Sequence, residues 1–208
     1  MRGAGSAPRS WADRHARFYG TVLGRRVLDV EVELLLGTVP ERGLAASVGC
    51  GLALHEVEVA RRRPGLVVIG LDEDPGMLRG VPPGMPVALG DAEALPFRDG
   101  ALDCLFYVTS LEFCQDPGRA LDDAARALRT GGVAVVLALN PSSDWGRERL
   151  HGVKPPWRTA DELGAALSRH LGSPSEAGNA LRVEGDRVGI GAARADAVLF
   201  VATARKGG

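Results

Sequence analysis

The chain has 208 residues, 45% hydrophobic and 25% charged, a size and balance that suit a globular domain and exclude a disordered or low-complexity chain. A formal net charge of −1 supplies no basic stripe for nucleic acid and no cationic face for a membrane, so neither partner is expected. Three scattered cysteines, Cys50, Cys104 and Cys114, form no CxxC pair, which argues against a disulfide framework and a zinc site; no metal is expected.

The opening MRGAGSAPRS lacks the apolar core of a signal peptide, and no apolar run is long enough to span a bilayer, so a cytoplasmic setting is expected. Residues 1–9 are rich in Gly, Ala and Pro and are expected to fray. Ser10 followed by Asp13 reads as a helix start and predicts a short helix from Trp11 to about Tyr19. A second helix is predicted from about Arg25, with Val27, Leu28, Leu34 and Leu35 as its apolar positions and Gly37 and Pro40 as its end. From Leu44 the pattern alternates. Strands are predicted at 44–48, 66–71, 86–89, 102–108 and 133–138, and helices near 53–63, 74–79 and 117–129, with a turn at Gly131-Gly132. Arg61-Arg62-Arg63 sits at a helix end, where cations answer the helix dipole. Short apolar strands alternating with helices imply an α/β fold, a parallel sheet covered on both faces. Beyond Asn140 the chain is irregular to Trp157. Thr159 to Glu162 forms a capping box for a helix ending near Leu171-Gly172, and late strands follow at 181–188 and 197–203. With no helix between them, those strands can pair as a hairpin, so an antiparallel strand is expected at the sheet's end. The organisation predicted is one domain over 1–208: cover helices in 1–40, a ligand-binding core in 44–139, and a substrate-side segment with a final hairpin in 140–208.

Three motifs carry chemistry. Ser47-Val48-Gly49-Cys50-Gly51-Leu52-Ala53 stands where a buried strand turns into a helix. Glycine there lets backbone approach a ligand, and the helix N-terminus offers N–H groups. A dinucleotide site wants a small residue where Leu54 stands; here it falls at Ala53, which disfavours a nicotinamide cofactor. Asp72, at the end of the second strand, is placed to accept from two ribose hydroxyls, with Glu73 beside it, whereas Asp74 before Pro75 reads as a helix cap. In Gly90-Asp91-Ala92, a carboxylate and the next N–H beyond the third strand can read an adenine edge; an acidic turn is the plain alternative.

These motifs, in this order, resemble the class I S-adenosylmethionine-dependent methyltransferases, in the branch called type 11. The likeness continues through Ala101-Leu102-Asp103-Cys104-Leu105-Phe106, Leu111-Glu112-Phe113, Asp116-Pro117 and Leu128-Arg129-Thr130-Gly131-Gly132, and covers residues 44–139. It implies a Rossmann-like, mostly parallel seven-stranded sheet with an antiparallel last strand, helices on both faces and an N-terminal helical lid. It also implies S-adenosylmethionine as cofactor and S-adenosylhomocysteine as product. Carried over by position, Gly49, Cys50 and Gly51 would face the methionine part, Asp72 the ribose, and Asp91 with Ala92 the adenine, with Ser47 and Glu73 also in the cofactor site. Thr109 and Leu111 would lie near the amino group and sulfur, with Tyr19 and Met77 also lining the cofactor site. The family usually has an acid at Ser47, threonine at Leu52, glycine at Ala53 and proline at Thr130. The Ser47 change bears on the amino-group contact.

A sulfonium methyl is already activated, so a protein need only align donor and acceptor and exclude water; a general base helps with a hydroxyl or ammonium acceptor. His15 and His151 are the candidate bases, with a structural or surface role as the alternative for each. Trp11, His15 and Tyr19 share one face of the first helix, and Trp11, Asn140 and Trp145 are candidate substrate contacts, with Trp157 as a further apolar wall. The expected acceptor is a small molecule held between the first helices and 141–157, in a monomer or homodimer. The alternative is a non-catalytic module that binds the cofactor or a partner.

Overall fold

The computed structural model describes residues 10–191 and 196–208; the fraying expected for residues 1–9 lies outside them. The described chain opens with helices α1 (Trp11–Gly20) and α2 (Val22–Leu36). The alternating core follows: β1 (Arg42–Val48), α3 (Leu54–Arg62), β2 (Gly65–Asp72), α4 (Pro75–Leu78), β3 (Val87–Leu89), β4 (Leu102–Val108), α5 (Pro117–Ala127) and β5 (Leu128–Leu139). A single 3-10 turn, Leu111–Phe113, follows β4, and the chain ends with α6 (Asp144–Leu150), α7 (Ala160–Leu171), β6 (Ser175–Glu184), β7 (Arg187–Ile190) and β8 (Ala197–Arg205).

Helix starts follow the side chains predicted to make them. Ser10 accepts from the Asp13 amide at 3.1 Å, Thr159 from the Glu162 amide at 3.2 Å, and Asp74 caps α4 ahead of a proline; Asp116, beyond those predicted, caps α5 in the same way. Between α1 and α2 the chain reverses within one residue. Thr21 caps α2 by accepting from Gly24, and a Cβ on Gly24 would lie 2.0 Å from the Phe18 carbonyl oxygen. Only glycine lets α1 press so close to α2.

The strands form one sheet in the order β3-β2-β1-β4-β5-β8-β6-β7, parallel from β3 to β5 and antiparallel beyond. The described residues thus hold eight strands rather than seven, and the antiparallel part is three strands, not one. The extra strand arises because 181–188 is not continuous: Gly185-Asp186 closes a hairpin between Glu184 and Arg187, a loop pair that hairpins favour. Gly131-Gly132 is also not a turn between elements. β5 runs through it from Leu128, with Gly131 at φ +75° and a register shift against β4, as an irregularity within the strand.

Residues alternate across the sheet. Leu105, Tyr107, Val136 and Ala138 pack on α5 and α7, while Ala45, Phe106, Val135 and Leu137 pack with Leu35, Val39 and Val59 from the α2–α3 side. Trp157 is 1% exposed among the α5–α7 residues, so it is a core residue and not a substrate wall. A third cluster, Val27, Leu139, Leu150, Leu181, Val198 and Leu199 with Phe18, Tyr19 and Trp145 around it, seats α1 and α6 on the C-terminal half of the sheet.

Two outcomes test this packing. Gly24→Ala should destabilise the chain by about 1–3 kcal/mol through overpacking, and should raise amide exchange in 11–20 while leaving β1, β4 and β5 protected. The second concerns Glu112, a buried acid whose Oε1 accepts from the Leu139 amide at 2.9 Å and whose Oε2 has no partner. Burial pushes its carboxyl from 4.5 up to about 7. The unfolded chain releases that proton at its ordinary pKa while the folded chain keeps it to about 7, so this group erodes stability as pH rises through that window. Glu112→Gln, which keeps an acceptor for Leu139, should therefore be more stable than the native chain by roughly 2 kcal/mol at about pH 8 and close to it at about pH 5, measured by urea unfolding.

Candidate active site

Chain order reverses at β1: β2 and β3 lie to one side and β4 and β5 to the other. In open α/β sheets the crevice at the strands' carboxyl ends, at such a point, is where ligands bind. Gly49 opens the turn after β1 at φ +73°, where a Cβ would stand 2.4 Å from Cβ of Ser110; the turn therefore approaches the β4 loop as closely as glycine allows. The amides of the turn itself are engaged. Those of Gly49 and Cys50 both donate to the Leu71 carbonyl at 2.8 Å, and that of Gly51 donates to Asp72 Oδ2 at 2.8 Å.

Asp72 thus fastens the turn to β2, and its Oδ1 accepts from the Asp74 amide at 2.9 Å. Each oxygen has a second lone pair, so the carboxylate can still receive hydroxyls. Glu73 is exposed beside it. Asp91 is exposed beyond β3, one oxygen accepting from the Glu93 amide, while Ala92 leans on the core. Thr109 holds φ +46° directly after β4, a conformation costly for a β-branched residue and characteristic of functional crevices. Leu111 is fully buried in the α5–α7 core; it does not face the crevice, and its assignment near the sulfur is withdrawn.

A roof covers the turn. A Cβ on Gly51 would lie 3.6 Å from the His15 ring of α1 and 4.0 Å from Met77 Sδ of α4. Behind the roof runs a chain of polar groups that sequence reading passed over. Val27, Glu31 and Leu35 stand one helical turn apart on α2, so Glu31 faces inward and is 2% exposed. Its Oε2 accepts the Tyr19 hydroxyl at 3.0 Å and meets His55 Nε2 at 2.8 Å. Burial pulls the His55 pKa down, but the Glu31 hydrogen bond and the Glu31 and Glu56 charges outweigh it and hold it above the ordinary value. Glu56, 1% exposed, accepts the Ser47 hydroxyl through Oε1, while Oε2 is buried without a partner. His15 meets Tyr19 in a tilted contact, 4.7 Å between ring centroids. Burial, then the His55 charge, lowers its pKa to about 4, and its Nδ1 is buried and unpartnered.

The candidate bases therefore separate. His15, neutral above about pH 4, lies over the glycine turn. His151 is exposed at φ +47°, edge-on to Trp11 at 5.0 Å. Trp11 is itself 49% exposed, so this pair marks the outer rim where α1 meets α6. Further in, the Arg149 guanidinium stacks 3.3 Å over Trp145 and 4.8 Å over Phe18. The Asn140 side chain ties its loop to β8: its amide group donates to the Ala197 carbonyl at 2.7 Å, and its oxygen accepts from the Ser142 amide. A hollow beside Trp145 and Ser143 lies between α6 and the antiparallel strands. Among the described residues no group of three or more acids, histidines or cysteines is arranged to hold a metal, and no helix is long and apolar enough to cross a membrane.

Comparison with known proteins agrees with this geometry. Residues 46–136 match the family model described as a methyltransferase domain. The chain is 31% identical over 128 residues to a malonyl-acyl-carrier-protein O-methyltransferase of Dechloromonas aromatica, covering 62% of this chain and 45% of that protein. It is 37% identical over 118 residues to a demethylmenaquinone methyltransferase of Thermus thermophilus, covering 53% and 52%. The chain thus spans about half the length of these curated relatives. In fold it resembles an S-adenosylmethionine-dependent methyltransferase of Thermotoga maritima, at TM-score 0.77 and 22% identity over 94% of this chain and 96% of the other. A second such enzyme, from Archaeoglobus fulgidus, gives TM-score 0.74 at 15% identity over 93% and 98%. Residues 46–136 thus match a methyltransferase domain, in a chain whose fold is that of S-adenosylmethionine-dependent methyltransferases.

Proposed function

We propose that the chain binds S-adenosylmethionine across the carboxyl ends of β3, β2 and β1 and directs transfer of its methyl group to a small acceptor under the α1–α6 roof. The observation that carries this reading is the crevice itself: a glycine turn fastened by Asp72, roofed by His15 and Met77, with unpartnered buried polar atoms at its closed end. The residues fit such a ligand. Asp72 has lone pairs for ribose hydroxyls, Asp91 stands one strand further out for the adenine, and the Gly51 position leaves room that a Cβ would fill.

The cofactor supplies an activated methyl on a sulfonium; the protein's task is to align, desolvate and manage a proton. α1 covers the turn with His15 and is itself held by the Tyr19–Glu31 hydrogen bond and the Arg149 stack on Phe18. His15, neutral above about pH 4 and lying over the turn, leaves an imidazole to orient an acceptor by hydrogen bonding as it attacks. Tyr19 and the His55–Glu31 pair fix that ring from beneath. The named relatives act on a malonyl group carried by acyl carrier protein and on a demethylmenaquinone; both present a compact acceptor group, which is the kind this roof would admit.

Isothermal calorimetry should show S-adenosylhomocysteine binding to the native chain, and Asp72→Ala should weaken it at least tenfold, the scale of lost charge-assisted hydrogen bonds. Tight binding of a nicotinamide dinucleotide in its place would reverse the assignment. His15→Ala should lower turnover by about a hundredfold or more with whichever acceptor a cofactor-consumption screen reveals, while retaining S-adenosylhomocysteine binding.

A further inference from the structure

The closed end of the crevice carries more negative charge than it balances. Three acids converge there: Glu31 from α2, Glu56 from α3 and Asp72 from β2. Glu31 is answered by His55 and Tyr19, and Asp72 by two backbone amides. Glu56 receives the Ser47 hydroxyl on Oε1 and lies within reach of the His55 charge, but its buried Oε2 has no hydrogen-bond partner. The ion pairs of the described residues give it no lysine or arginine. An acceptor-only oxygen sealed from water costs free energy until a donor reaches it.

Its position narrows the donor. Glu56 lies in the first turn of α3, just past the glycine turn, and hydrogen-bonds to the last-but-one residue of β1. Its charge acts on Cys50 within the turn, and that of Asp72 acts on it in return. The turn's own amides at Gly49, Cys50 and Gly51 are consumed by β2, while Glu56 Oε2 still lacks a donor, so a cationic donor suits this oxygen. A ligand lying along the strand ends, with adenine at β3 and ribose at β2, brings its amino-acid portion to β1. Burial, with a smaller push from the Asp72 charge, raises the Glu56 pKa against the pull of His55 and Ser47; a positive group alongside would return it to the carboxylate form.

We propose that Glu56, held by Ser47, is the residue that receives the α-ammonium group of the cofactor, in place of an acid on β1 itself. The negative charge has moved from the strand to the facing helix, and the Ser47–Glu56 hydrogen bond keeps it at the strand end. This assignment rests on the cofactor reading above and adds to it which side chain holds the amino-acid end.

The test compares two ligands by calorimetry: S-adenosylhomocysteine, which has the ammonium, and 5′-methylthioadenosine, which keeps adenine, ribose and sulfur but lacks the amino-acid portion. Glu56→Gln should weaken S-adenosylhomocysteine about thirtyfold, the scale of a lost charged hydrogen bond, and leave 5′-methylthioadenosine within about twofold. Equal weakening of both ligands, or of neither, overturns the proposal. If the native chain binds neither ligand, the cofactor reading fails first. The exchange variant Ser47→Asp with Glu56→Ser returns the carboxylate to the strand and keeps a hydroxyl opposite it. It should restore the native ratio of the two affinities, and a variant that melts like the native chain without restoring that ratio also overturns the assignment.

Discussion

A carboxylate buried as deeply as Glu31 must be met by donors, because desolvating it unpaired would cost several kcal/mol. Its donors come from two different helices, the Tyr19 hydroxyl from α1 and the His55 ring from α3, while Glu31 itself belongs to α2. One oxygen therefore ties three elements together at a single point. That point sits behind the glycine turn, so what holds the cover helices also sets the rear wall of the crevice. Apolar packing of Val27, Leu35 and Phe18 supplies most of the free energy around it. Apolar contact is non-directional, however, and the hydrogen bonds to Glu31 decide where along α2 the first helix comes to rest.

The sheet contributes rigidity of another kind. The Leu71 carbonyl accepts two amides of the turn and Asp72 accepts a third, so the turn after β1 is clamped to the end of β2. With Ser110 donating to the Val48 carbonyl at 2.6 Å, β4 clamps it from the other side. The turn's positive φ values at Gly49, Gly51 and Ala53 are sustained by these anchors. Ala53 shows the tolerance: the left-handed conformation costs an alanine about 1–2 kcal/mol relative to glycine, and the clamps hold it there.

Much of this was legible in the chain before any coordinates. The five parallel strands, their order of motifs and the caps at Ser10, Asp74 and Thr159 follow from local rules that burial does not disturb. The misses share a cause. Glu31, His55 and Glu56 occupy inward positions of helices, and a pattern reading treats polar residues as solvent-facing unless a partner is known. The partners lie 24 residues away for Glu31 and His55, and nine for Ser47 and Glu56, on different elements. An acid one turn from Val27 and Leu35 was the available signal. Leu111 and Trp157 erred in the other direction: an apolar residue near a functional motif looks like a pocket wall, yet the α5–α7 layer needed both. Gly185-Asp186 was a hairpin signature absorbed into an alternating run.

The three tryptophans of the chain stand in three distinct surroundings. Trp157 is sealed in the core, Trp11 is half-exposed at the rim, and Trp145 lies beneath a guanidinium and against Phe18 of α1. Indole emission shifts with the polarity and charge around the ring, so the molecule carries its own optical gauge of three separate events. Loss of core packing registers at Trp157, surface perturbation at Trp11, and parting of α1 from α6 at Trp145, where the cation and the facing ring would leave together. Single-tryptophan versions retaining Trp145 turn the seam above the crevice into something that can be watched in solution on the timescale of its opening.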